Sequence, residues 1–193
     1  MKSPIVSLCL LAALTTFSCS HKAPATFRVN LDTTRGPVVV EVTRANAPLG
    51  ADRFYDLVQA KFFDEARFFR VVPGFVVQFG MAGDPQVNAK WDKPIQDDPV
   101  LVSNTRGTLT FAAEDTPNTR TTQMFINLGD NRRLDARRFA VLGSVVSGMD
   151  NIDRIYSGYG QRPDQSLIEK SGNAYLKSEF PSLDYIKTAR LAQ

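Results

Sequence analysis

Between Phe68 and Gly80 the chain reads Phe68-Phe69-Arg70-Val71-Val72-Pro73-Gly74-Phe75-Val76-Val77-Gln78-Phe79-Gly80. Two short runs of aromatic and β-branched residues joined by Pro-Gly are the pattern of paired strands, or of one strand sharply bent. Such a run needs a sheet or helix to cover it, which limits the fold more than any other stretch. Arg70 and Gln78 interrupt it. A guanidinium among Phe and Val is costly unless a partner or water reaches it. From these residues alone the stretch also reads as an edge strand whose Arg buries its stem and solvates its head.

With 193 residues, 43% of them hydrophobic and 22% charged, the chain has the composition of one globular domain with one core. The net charge is only +3, with Lys and Arg scattered along the chain. The densest basic cluster, Arg132, Arg133, Arg137 and Arg138, is interleaved with Asp130 and Asp135. Without an aromatic platform or a basic helix it reads as a solvated loop, so no nucleic-acid partner is expected.

The N-terminus reads as a targeting segment. Lys2 followed by the apolar run Ile5 to Phe17 has the length of an export signal and is too short for a comfortable membrane span. Thr16-Phe17-Ser18-Cys19 resembles the lipobox of bacterial lipoproteins, although Leu is usual where Thr16 stands. That resemblance implies a signal peptide over residues 1–18, lipidation of Cys19 and a tether over residues 19–26. Ser20 favours the outer membrane, facing the periplasm; simple cleavage without a lipid is the alternative. The only cysteines are Cys9 and Cys19, and the only histidine is His21. The expected folded body therefore has no thiol for a disulfide and no histidine for a triad or a metal site, and no metal or cofactor is expected.

Phe27 to Thr33 alternates apolar and polar residues, and Val38 to Val42 returns after Thr34-Arg35-Gly36-Pro37, which predicts a hairpin. Asn46-Ala47-Pro48 starts a helix that carries Leu49, Phe54, Leu57 and Val58 to about Ala60. Met81 to Pro99 reads as a long connection with Trp91 as an anchor. Strands are expected at Gly107 to Ala113, Thr122 to Leu128 and Phe139 to Val146, and a short helix over Met149 to Ile155. In the tail, Asn173 to Phe180 reads as a short helix, and Leu183, Tyr185 and Ile186 as a closing strand.

Four blocks then stand together: Arg70-x-x-Pro73-Gly74-Phe75-x-x-Gln78-x-Gly80; Gly107-Thr108-Leu109-Thr110-x-Ala112; Pro117-Asn118-Thr119-x-x-x-Gln123-x-Phe125-Ile126-Asn127; and Leu134-Asp135 with Val141-x-Gly143-x-Val145. In order and spacing they resemble the cyclophilin family of peptidyl-prolyl cis-trans isomerases. The resemblance implies a mainly β fold, an eight-stranded antiparallel closed β-barrel with two capping helices, over residues 27–156. Residues 157–193 are left as a C-terminal extension packed on the barrel.

The resemblance also implies roles. Arg70, Gln78 and Phe75 match catalytic positions, with Arg70 donating to the prolyl carbonyl. Val76, Ala112, Ala113, Gln123, Phe125 and Leu134 match substrate-binding positions. The expected partners are proline-containing polypeptides, met by a monomer without cofactor. A binding module with little catalysis is the alternative. Outside the motif, Phe75, Phe125 and Leu134 read as core rather than as a pocket, and Gln123 could be a satisfied barrel amide. The sequence departs from the family pattern at several points. Arg133 stands where Trp is common, which puts strong cyclosporin binding in doubt. Ala113 stands where Asn or Arg is common, Val76 where Met is common, and Phe69 replaces a common His. Arg138 and Phe139 compete for a position the family gives to His.

Overall fold

The computed structural model describes residues 22–192; the proposed signal peptide, Cys19 and His21 lie outside the described residues. The first hairpin follows the period-two rule. In β1 (Thr26–Thr33), Phe27, Val29, Leu31 and Thr33 are buried and their neighbours exposed. It pairs along its whole length with β2 (Gly36–Thr43), where Val38, Val40 and Val42 are buried. The chain continues through α1 (Pro48–Gln59), β3 (Ala66–Arg67), β4 (Arg70–Val72), β5 (Val76–Phe79) and α2 (Pro85–Trp91). After a long connection come β6 (Thr108–Phe111), β7 (Met124–Asn127), β8 (Val141–Ser147), α3 (Met149–Asp153), α4 (Gln165–Glu179) and β9 (Tyr185–Leu191).

All strands lie in one antiparallel sheet in the order β3-β9-β1-β2-β8-β6-β7-β5-β4. Its two outermost strands, β3 and β4, are separated in the chain by only Phe68 and Phe69. The sheet thus curls until its ends meet in one interrupted strand. Among the described residues there are nine strands rather than the expected eight, and the hydrogen-bonded ladder stays open where β3 gives way to β4. The interruption shifts the phase of the side chains. Ala66 and Phe68 pack in the barrel interior, as alternation requires, but so does Val71, while Phe69 packs outside with Met81, Ile168, Leu176 and Leu183. Strict alternation from Phe68 would have driven Arg70 inward.

Inside the barrel, α1 presents Ala51, Phe54, Leu57 and Val58, all buried, as a plug. Phe54 meets Phe63 at 5.6 Å, Phe63 meets Phe79 at 5.7 Å and Phe79 meets Phe68 at 5.6 Å, so one line of rings joins the helix to β5 and the broken strand. The start of α1 is not capped by Asn46 or by Ala47, the residue before the helix. Instead Asp98, from the long connection, accepts from the N–H groups of Leu49 (3.0 Å) and Gly50 (2.8 Å). Arg120, fully buried, donates to Asp98 (3.0 Å), while its Nε makes an ion contact with Asp97 (3.3 Å) without an aligned hydrogen bond. This buried pair fixes the loops that lead into the site.

Four expectations need correction. The long connection contains a helix, α2, and α4 starts at Gln165 rather than Asn173. The Asp164 carboxylate supplies that earlier start by accepting from Ser166 N–H (2.8 Å), and a non-helical Gly172 kinks α4 before the segment that was expected to be helical. The tail is not an addition packed on a complete barrel, because β9 is a stave between β1 and β3. The tether expected up to residue 26 is also part of the body from Ala23, which is buried and donates its N–H to Asp52 (2.8 Å).

Phe79 lies at the junction of β5, the broken strand and the helix plug. Phe79→Ala is expected to cost about 3–5 kcal/mol, measured by urea unfolding.

Candidate active site

The site lies on the outside of the barrel, on the face shared by β4, β5, β7 and β6. Every residue of β5, β6 and β7 is buried, because the interior covers one face and an outer layer covers the other. Val77, Phe79, Met124 and Ile126 point inward, leaving Val76, Gln78, Phe125 and Asn127 outward. Register aligns them, since Arg70 sits opposite Gln78, Gln78 opposite Phe125 and Phe125 opposite Thr110. The Pro73-Gly74 turn makes the first pairing possible. Gly74 takes φ +73°, and Phe75 N–H donates to Val72 O (2.9 Å).

Polar groups run along this row in a chain. Arg70 Nη1 donates to Gln78 Oε1 (3.1 Å), and Gln78 Nε2 donates to Gln123 Oε1 (2.8 Å). The amide N–H groups of Gln123 make no hydrogen bond among the described residues and remain open to a ligand. Arg70 Nε and Nη2 both donate to Gln161 Oε1 (3.3 Å each). Among the described residues no carboxylate pairs with Arg70, whose pKa is lowered from the usual arginine value by burial. The guanidinium also lies over the Phe75 ring, 5.6 Å from its centroid. The result is a partly desolvated cation held by neutral carbonyl oxygens, with donor capacity to spare.

Beside it lies an apolar seat. Val76, Phe125, Leu134 and Phe139 form a buried cluster with Phe75, Ala112 and Ala113 packed against it. Phe125 and Phe139 meet edge to face at 5.6 Å. Leu134 sits in a short 3-10 turn, Arg132–Arg137, which a buried polar network holds against the barrel. Asn104 Nδ2 donates to Asp135 Oδ1 and to Phe139 O, both at 2.8 Å. Thr110 and Asn127 donate to Asn104 Oδ1 (3.0 and 3.2 Å). Asn131 bonds Asn127 Oδ1 and Phe75 O, both at 2.8 Å. Burial opposes the charge on Asp135, but the Asn104 side-chain and backbone hydrogen bonds and the nearby Arg132 outweigh it and lower its pKa.

Arg70, Phe75, Val76, Gln78, Ala112, Ala113, Gln123, Phe125 and Leu134 all line one open cavity of about 780 Å³. Every site residue named from the sequence within the described residues therefore meets at one place. One refinement concerns the backbone strip: Ala112 N–H is already bonded to Gln123 O (2.9 Å), so only Ala113, with no backbone hydrogen bond among the described residues, keeps its N–H open. Of the two rivals, Phe139 lines the cavity, while Arg138 makes an ion contact with Asp97 at 3.6 Å. Arg133 lies over the other wall residue, with its guanidinium 4.8 Å from the Phe75 centroid. The sequence reading missed the contribution of the tail, since Gln165, Ser166 and Glu169 also line the cavity and Gln161 bonds Arg70. No motif marks these residues; only the docking of the tail brings them here.

Known proteins resemble this chain in sequence and in fold. Residues 27–172 match the family model described as cyclophilin type peptidyl-prolyl cis-trans isomerase/CLD. A protein of Acinetobacter baylyi named peptidyl-prolyl cis-trans isomerase is 35% identical over 141 residues, 70% of this chain and 75% of that protein. Peptidyl-prolyl cis-trans isomerase A of Dickeya dadantii is 31% identical over 159 residues, 80% of this chain and 84% of that protein. In three dimensions the chain is similar to the crystal structure of a cyclophilin type peptidyl-prolyl cis-trans isomerase of Cryptosporidium parvum. The TM-score is 0.67 at 19% identity, covering 87% of this chain and 98% of that one.

The lowered Asp135 pKa gives a pH dependence with a defined sign. Its contribution to stability is complete above the unfolded value of about 3.9 and is lost as pH falls through the lower folded value. Asp135→Asn is expected to weaken that acid dependence and to lower the urea midpoint at neutral pH, measured by unfolding curves across the acid range.

Proposed function

The chain belongs to the cyclophilin-type peptidyl-prolyl cis-trans isomerase family, and on that premise we propose that Arg70 drives X-Pro rotation in exported polypeptides from the groove described above. Catalysis of the isomerisation follows from the family; the residue roles and the location are our reading. The observation that carries it is a guanidinium whose hydrogen bonds among the described residues all go to neutral amides, placed beside an apolar seat.

Rotation about an X-Pro bond must break amide resonance, a barrier of roughly 18–20 kcal/mol, and it needs no nucleophile, metal or proton shuttle. What lowers the barrier is a group that binds the twisted bond better than the planar one. Phe75, Phe125 and Leu134, with Val76 at their base, seat the pyrrolidine ring. Arg70 donates to the prolyl carbonyl and favours a pyramidal prolyl nitrogen, whose lone pair is no longer shared with the preceding carbonyl. A fixed donor in a partly water-excluded groove does this without reorganising during the reaction. Gln78 holds Arg70, while the open N–H groups of Gln123 and the backbone of Ala113 hold the substrate chain on either side. Arg suits the task because it stays charged and its planar fork is rigid.

The location rests on the sequence. Lys2, the apolar run to Phe17 and Cys19 support export to the periplasm, with a lipid on Cys19 holding a monomer at the outer membrane, where newly exported chains fold.

NMR exchange of a short X-Pro peptide should show clear catalysis by the wild type and a loss of roughly 10²-fold or more in Arg70→Ala. Equal exchange in both would sink the role of Arg70, and binding without exchange in the wild type would point to a scaffold. Radiolabelled palmitate should enter the wild type and be absent from Cys19→Ser; label that persists in the variant would refute the anchor.

A further inference from the structure

The Arg70 guanidinium has a partner that no family block contains. Gln161 lies in the loop between α3 and α4, distant in sequence from the four motif blocks, yet its side-chain carbonyl bridges Arg70 Nε and Nη2 at 3.3 Å each. We infer that Gln161 is a positioning residue for the isomerisation: it turns the Arg70 fork so that its remaining donors face the substrate carbonyl. The inference rests on the role proposed for Arg70.

The loop is built to hold Gln161 there. β4 is an outermost strand of the sheet, and its free edge is covered by this loop, with Val71 N–H donating to Gly160 O at 2.9 Å. The residue after Arg70 is thereby clamped by backbone to the residue before Gln161. Gly160 takes φ +57°, which a side chain would resist, and its N–H closes the turn on Ser157 O (2.9 Å). On the far side, Arg162 lies 5.1 Å from the Tyr159 ring centroid and donates to Gly158 O (3.2 Å). Tyr159 itself packs edge to face on Phe180 at 5.1 Å. Beyond the loop, α4 is pinned by Asn173, which donates to Gly83 O (2.9 Å) and Glu65 O (3.0 Å). Phe69, next to Arg70, is buried in the cluster that includes Ile168 and Leu176 of α4. Strand and loop are therefore fixed to each other on both sides of the Arg70–Gln161 contact.

Donor arithmetic favours positioning over competition. A guanidinium has five N–H groups; one goes to Gln78 and two to Gln161, leaving two for a substrate carbonyl. Gln161 thus occupies one edge of the fork and leaves capacity elsewhere. Its neutrality matters as well. A carboxylate here would pair with the only cation of the row and weaken its pull on the prolyl carbonyl, whereas an amide oxygen orients the fork without discharging it.

The test is a double-mutant cycle in the full chain, read by NMR exchange of a short X-Pro peptide at limiting and saturating concentrations. Gln161→Ala is expected to lower kcat about tenfold with little change in KM and an unchanged thermal midpoint, since Gln161 is exposed. In an Arg70→Ala background the same substitution should have no further effect, as expected for a residue that acts only through Arg70. The Arg70 Nε–Hε resonance should be protected from exchange in the wild type, unprotected in Gln161→Ala and protected again in Gln161→Glu. Unchanged or increased kcat/KM in Gln161→Ala would overturn the inference, as would an equal loss in the Arg70→Ala background. If Arg70→Ala alone leaves catalysis intact, it is the proposed role of Arg70 that fails; if Arg70→Ala is inactive and Gln161→Ala keeps the full wild-type kcat, only the inference fails.

Discussion

The structure depends on one irregularity, the slip in the strand from Ala66 to Val72. The sheet can only curl on itself if a single stretch of chain pairs with β9 at one end and with β5 at the other. A regular strand doing this would place Phe68 and Arg70 on the same face, and an unpaired guanidinium inside a barrel of Phe, Val and Leu would be prohibitive. The break lets Phe68 and Val71 both enter the core while Phe69 and Arg70 both face outward. One backbone defect therefore brings the two ends of the sheet together, buries Phe69 under α4 and delivers the cation to the groove. Bulges and breaks in sheets recur where a side chain must be re-aimed.

Around that cation the protein uses neutral amides throughout. Gln78 and Gln161 accept from Arg70 and Gln123 accepts from Gln78, and below the apolar seat Asn104, Asn127 and Asn131 do similar work with Asp135. An amide both donates and accepts, so a row of them can be satisfied within itself while leaving a charge undiminished. Such networks in a low-dielectric layer hold a shape firmly when every member is bonded. Here the shape they hold is the 3-10 turn that carries Leu134 and the approach of Phe139 to Phe125.

Legibility varied with the range of the interaction that settles each feature. The first hairpin could be read from alternation alone, because each strand shows one face to the core and one to water. The α1 plug could be read from helical spacing, although its cap could not: Asp98 comes from a loop about fifty positions away. Arg70, Phe75, Gln78, Gln123 and Phe125 were readable as a constellation through the resemblance. Without it, the strands β5 and β7 look like plain buried strands, because both their faces are covered and polarity no longer alternates. Phe139 was one of two candidates for its place, and only packing separated it from Arg138. The tail was the least legible part. Its helix begins at an Asp164 cap upstream of the segment that looked helical, and its last strand enters the barrel beside the first.

The sequence by itself determined the chemistry available in the folded body. Around Arg70 it supplies amides and an apolar seat, and it places Cys9, Cys19 and His21 outside the described residues. It also determined which runs become strands, since β-branched and aromatic periodicity is a local property. Tertiary structure decided where those groups point and what holds them. The slip at Phe68 and Phe69, the buried grip of Arg120 on Asp98 and the docking of the 157–162 loop on the edge of β4 join residues far apart in the chain. Such contacts depend on three-dimensional closure rather than on local pattern, and for that reason Gln161 reaches Arg70 with no motif to announce it.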